Sequence, residues 1–115
     1  YWVEEDDAAR GRLVPVANEC AKLIGLDKTY TAADFEIYSE FAKPDFGEPS
    51  GTSLETFKCV PRLEGILLDP TYTSKAMDGL RQHIEAGRFN KEDTVVFLHT
   101  GGVPSLFAYS DVISG

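Results

Sequence analysis

Two stretches concentrate groups able to hold a ligand: DPTYTS at residues 69–74 and HTGG at residues 99–102. Together they offer the hydroxyls of Thr71, Tyr72, Thr73 and Thr100, and bare backbone at Gly101 and Gly102. No Ser/His/Asp set, carboxylate pair or metal cluster emerges around them. Cys20 and Cys59 lack CxxC spacing, and His83 and His99 are the only histidines, so no zinc site is indicated. A base and a nucleophile are missing. What remains is a platform of hydroxyls, one aromatic ring and glycines, which suits a flat, neutral heteroaromatic cofactor that brings its own chemistry. The pair Gly101-Gly102 is too short for a Walker or Rossmann fingerprint, and steric need alone explains many such turns. A small binding module for a phosphate or nucleotide stays open on spacing alone. His99 reads as a half-buried residue at a strand end, and Asp69 before Pro70 as a turn residue.

The elements that would position these residues read as follows. Leu13, Ala17, Cys20, Ala21 and Ile24 recur at helical spacing, with Gly25 as a stop and Pro15 in the first turn or at a kink. Phe35, Ile37 and Phe41 alternate with acidic residues, as in a half-exposed strand. KPDFGEPSGTS, residues 43–53, reads as a loop, and Ser53 as the N-cap of a helix bearing Leu54, Phe57 and Val60, which Pro61 should kink or end. ILLD (66–69) and VVFL (95–98) are short apolar runs that read as strands. Between them Ser74 caps a helix with Ala76, Met77, Leu80 and Ile84 on one face, stopped by Gly87. A further helix begins near Pro104. Strand, helix, strand predicts an α/β fold, part of an open and mostly parallel sheet with flanking helices, and ligands bind such sheets at the carboxyl ends of the strands.

The chain has 115 residues and a formal charge of −8. Clustered Lys and Arg are what nucleic acid and anionic membranes require, so neither is an expected partner. No apolar stretch reaches membrane-spanning length, and the first residues lack a signal-peptide layout. The two thiols are expected to be reduced and partly buried, in a cytoplasmic or organellar protein. The sequence opens YWVEEDD and its one methionine is Met77, so it reads as part of something longer.

EGILLDPTYTSKAMDGL (64–80) and FLHTGGVPSLFAY (97–109) resemble the C-terminal part of the pyridoxal-phosphate enzymes that include D-cysteine desulfhydrase and 1-aminocyclopropane-1-carboxylate deaminase. PVANECAKLIGL (15–26) is similar to that family's helix ending in a leucine-glycine turn, and PDFGEPS (44–50) to its Pro-Gly-Tyr-Gly-x-Pro loop. The resemblance runs from about residue 10 to residue 109. It implies a tryptophan synthase β-like fold of type II, with residues 1–115 forming the C-terminal part of the enzyme domain. It also implies pyridoxal 5′-phosphate as cofactor, an amino acid as substrate and a homodimer. The activity implied is α,β-elimination of D-cysteine, with deamination of the cyclopropane amino acid as the alternative.

By resemblance, Tyr72 matches the tyrosine that lines the cofactor ring and the substrate side of the site. Thr73 stands where the deaminases carry a glutamate near the pyridine nitrogen and the desulfhydrases a threonine. Thr100 matches a hydroxyl residue near that nitrogen, and Gly101 its neighbour against the ring. A carboxylate there keeps the nitrogen protonated, whereas a hydroxyl adds no charge and leaves a weaker electron sink. Phe46 occupies the position of a loop tyrosine with a proton-handling role; it keeps the ring and loses the ionisable hydroxyl. Lys75 matches a family lysine that is not the Schiff-base one, and is expected on the surface of a first helical turn. The Schiff-base lysine and phosphate loop are expected upstream of Tyr1. The chain alone is therefore expected to be inactive.

Overall fold

A computed structural model describes residues 6–43 and 47–111. The chain divides into two compact units, Tyr1–Ser39 and Glu40–Gly115.

In the first unit, helix α1 spans Asp6–Leu23. It starts earlier than the apolar periodicity suggests, and Pro15 lies well inside it rather than in its first turn. Gly25 ends it as expected, at φ 70°. The Leu26 amide then reaches back to the Ala21 carbonyl at 2.9 Å. The segment read as a strand around Phe35 and Ile37 is not one. Ala32–Asp34 is a single 3-10 turn, with Asp34 accepting from the Thr31 amide and hydroxyl at 2.8 and 2.9 Å. The next segment is tied to α1 by side chains. Asn18 exchanges two hydrogen bonds with the Tyr30 backbone, and Arg10 Nε donates to the Phe35 carbonyl. Cys20 here and Cys59 in the second unit are free and exposed, not partly buried.

A 3-10 turn at Ser39–Ala42 leads into the second unit, which carries α2 (Gly51–Glu64) and α3 (Thr73–Glu85), packed on each other. The N-cap of α2 is Ser50, three residues before the expected Ser53. Ser50 Oγ accepts from the Ser53 amide at 3.1 Å, and Ser53 Oγ returns a bond to the Ser50 carbonyl. Pro61 does not end the helix. It continues to Glu64 and closes on Gly65, whose amide bonds the Pro61 carbonyl at 3.1 Å.

Helix α3 buries a face different from the one its apolar residues predict. Thr73, Ser74, Lys75, Asp78 and Gly79 are buried, while Ile84 is exposed. The physical reason is Asp78. Its carboxylate accepts from Thr56 of α2 at 2.9 Å, and from Arg81 and Gln82 at 3.0 Å each. Gly79 lies so close to the Phe41 ring that a Cβ would meet it at 3.0 Å. Lys75 is likewise not on the surface: it is 5% exposed, and Nζ donates to the Ala42 carbonyl at 2.9 Å. Met77, Leu80 and Ile84 instead line an open groove of about 320 Å³ with Cys59, Val60 and Leu63.

The α/β expectation is overturned: the structure is helical, and among the described residues there is no strand and no sheet. ILLD and VVFL are unpaired. A run becomes a strand only through backbone ladder bonds, and none joins these two. Their apolar side chains need cover on both faces, and only Leu68 has it. Ile66, Leu67, Val96 and Leu98 are 45–85% exposed. The last expected helix is a 3-10 segment, Val103–Tyr109, with Pro104 at its start.

Candidate functional site

The site is built on one buried carboxylate. Asp69 is fully buried and lies just ahead of α3. Its Oδ2 accepts from the Thr71 and Tyr72 amides at 2.9 and 2.8 Å. Its Oδ1 accepts from the Thr73 amide at 2.8 Å and the Thr73 hydroxyl at 2.7 Å. The Asp69 amide donates back to Thr73 Oγ1 at 2.8 Å, and its carbonyl accepts from the Ser74 amide. Pro70 has no amide to satisfy and a fixed φ, so the turn costs little to form. The N-cap position of α3 is Tyr72, whose side chain makes no cap bond; the Asp69 carboxylate, three residues ahead, accepts from the Tyr72 and Thr73 amides instead, and Ser74, the expected cap, lies inside the helix.

Burial alone pushes the Asp69 carboxyl up. The bonds from Thr73, Tyr72 and Thr71 outweigh it and hold the group below the usual carboxylate range. Asp78 is lowered in the same way, burial being overcome by bonds from Thr52, Thr56, Arg81 and Gln82. A lowered folded value means that the stabilisation is complete above the unfolded value of about 4. It is lost as pH falls below that value toward the folded one. The expected result is a flat stability plateau at neutral pH and a steep loss below about pH 4. Denaturant midpoints measured across pH 2.5–7 check this, and Asp69→Asn should flatten the acid slope.

The HTGG turn seats directly on this carboxylate. Gly102 has φ 92°, and a Cβ there would lie 2.5 Å from Asp69 Cγ and Oδ1. The His99 ring forms a second tie, Nε2 to the Leu67 carbonyl at 2.8 Å and Nδ1 to the Gly101 amide at 3.1 Å. A third tie comes from Tyr109. Its hydroxyl donates to the Gly47 carbonyl at 2.7 Å and lies 3.4 Å from Thr71 Oγ1.

The two turns foreseen in the sequence are thus brought together, by side-chain ties rather than by a sheet. Thr100 is exposed and its hydroxyl has no hydrogen-bond partner among the described residues. Gly101, at φ 101°, has open space where a Cβ would stand. Tyr72 is 48% exposed. Thr73 is placed differently: it is 2% exposed, and its hydroxyl is committed to Asp69 as both donor and acceptor. A glutamate at 73 would set a second carboxylate against that of Asp69. Phe46 lies outside the described residues.

The sequence marks Asp69 and His99 as local features and Gly102 as bare backbone for a ligand, and singles out no role for Tyr109. One signal was available for Asp69: an Asp followed by Pro and then by Thr four residues on, just ahead of a helical run, is an Asx-turn and N-cap pattern. The ties of His99 and Tyr109 span 32 and 62 residues and leave no local signal.

No helix among the described residues is long and apolar enough to cross a membrane, and no group of potential metal ligands occurs among them. No protein-family model matches the chain. A D-cysteine desulfhydrase of Salmonella typhi is 40% identical over 101 residues, 82% of this chain and 31% of that protein. A 1-aminocyclopropane-1-carboxylate deaminase of Pseudomonas syringae pv. tomato is 38% identical over 104 residues, 90% of this chain and 31% of that protein. The desulfhydrase of Salmonella newport matches as the first does, at 40% identity. The chain spans 31% of the length of these curated relatives. Over 82–90% of its own length, the chain is similar to these D-cysteine desulfhydrases and to this 1-aminocyclopropane-1-carboxylate deaminase.

Proposed function

We propose that this chain forms the ring-nitrogen face of a pyridoxal-phosphate site in an enzyme that eliminates sulfide from D-cysteine. The observation that carries the reading is the open patch formed by Thr100 and Gly101, held against the turn that bears Tyr72, in a chain homologous to such enzymes. The residues present fit the cofactor: a hydroxyl with no hydrogen-bond partner among the described residues, a backbone with room for a flat ring, and a half-exposed aromatic.

When bound, pyridoxal phosphate supplies the electron sink for breaking bonds beside an amino-acid nitrogen. Thr100 Oγ1 would hydrogen-bond the pyridine nitrogen without adding charge. Gly101 would leave the backbone open to the ring, and Tyr72 would help to hold it. Thr73 acts one step back. By locking Asp69 it fixes the backbone of Tyr72, so it positions rather than touches the ring. The overall reaction consumes D-cysteine and water and releases pyruvate, hydrogen sulfide and ammonia. The deaminase relative supports ammonia release from the cyclopropane amino acid as the second reading.

Thr100→Val tests the assignment in the enzyme that contains this chain. Losing one hydrogen bond of about 1–1.5 kcal/mol should weaken cofactor retention about tenfold and shift its visible absorbance. Thr100→Ser should restore both. A valine variant with native retention and spectrum contradicts the role.

A further inference from the structure

His99 is joined to two groups whose chemistry is not adjustable. The Gly101 amide can only donate, so Nδ1 must present its lone pair at 3.1 Å. The Leu67 carbonyl can only accept, so Nε2 must carry the hydrogen at 2.8 Å. The ring is therefore the neutral Nε2–H tautomer, and both of its nitrogens are occupied by backbone. Its edge contact with Phe97, at 6.4 Å between centroids and 90°, holds the plane from a third side.

The two bonds span residue 100. One clamps the backbone immediately after Thr100; the other ties the turn to the segment that ends in Asp69. Gly102 then rests on the Asp69 carboxylate. Thr100 itself is exposed, and its side chain makes no hydrogen bond among the described residues. The direction of its Cα–Cβ bond is thus set by its neighbours, and the hydroxyl can swing only among the staggered positions about that bond.

We infer that His99 is a positioning residue: a neutral backbone clamp that aims the Thr100 hydroxyl and takes no part in proton transfer. The inference deepens the proposed function and rests on it for the effect on turnover, though not for the tautomer. A shift of about 1 Å in a positioned group costs on the order of a hundredfold in rate. His99→Ala should therefore lower kcat 10- to 100-fold with little change in KM. Glutamine carries an amide N–H at a reach like that of Nε2, so His99→Gln should recover much of the loss.

The test uses the enzyme that contains this chain, labelled with 15N-histidine. The His99 signals, assigned by their disappearance in His99→Gln, should show a pyridine-type Nδ1 and a pyrrole-type Nε2. The limbs of the kcat/KM pH profile should be unchanged in His99→Gln. A protonated Nδ1, or a limb lost in that variant, overturns the inference. Both readouts stand if His99→Ala fails to fold. An enzyme with the stated tautomer and no turnover sinks the proposed function and leaves the clamp in place.

Discussion

Asp69→Ala is expected to destabilise the second unit by about 3–5 kcal/mol, more than any other single truncation near the site. The substitution leaves the amides of Thr71, Tyr72 and Thr73 and the Thr73 hydroxyl without their acceptor. A buried donor left unsatisfied costs about 1–3 kcal/mol. Water entering the void recovers part of the sum, which is why the expected total is below four full penalties. Asp69→Asn should fall between native and alanine. Its one amide oxygen serves two of the four donors, while its NH2 faces the other two. Urea denaturation followed by far-UV circular dichroism checks the order. The loss should reach function too, because the carboxylate sets the Tyr72 backbone and supports Gly102. An Asp69→Ala protein with native stability would show that the turn holds without its acceptor.

The second large effect separates two adjacent glycines. Gly102→Ala meets two penalties. Its φ of 92° costs an L-residue about 1–2 kcal/mol. Its new Cβ would lie 2.5 Å from Asp69, and relieving such overpacking costs about 1–3 kcal/mol more. Gly101→Ala pays only the backbone cost, because its Cβ enters open space. That space is where the proposed cofactor ring approaches. Gly102→Ala should therefore unfold the protein more readily, whereas Gly101→Ala should stay folded and lose its cofactor. Denaturation midpoints and retained cofactor absorbance, measured on both variants, should rank the two in opposite orders.

What the sequence disclosed was local. Gly25 and Gly87 stop helices where expected, and the helix now called α3 lies within a residue or two of its expected place. The two turns that make the site were both visible as clusters of hydroxyls and glycines. The absence of a sheet among the described residues is not legible in the sequence, since periodicity reports which faces want cover and not whether a partner supplies it. Val95–Leu98 is an apolar run, yet it pairs with no other segment among the described residues. The buried face of α3 departs from its apolar pattern for a related reason. Lys75 and Asp78 look like surface charges until Ala42 and Thr56 are brought to them. Thr73 shows the limit at the site itself. A hydroxyl's type was legible, but its commitment to Asp69 depended on a turn geometry that residue types alone do not specify.

If this chain completes a pyridoxal-phosphate site for elimination from D-cysteine, product release by the longer protein that contains it is the decisive readout. With D-cysteine supplied, sulfide and pyruvate are expected in equal amounts, at a rate exceeding ammonia release from 1-aminocyclopropane-1-carboxylate and reduced in Thr100→Val. Ammonia from the cyclopropane substrate without sulfide from D-cysteine, or no turnover of either by the cofactor-loaded protein, would overturn the assignment.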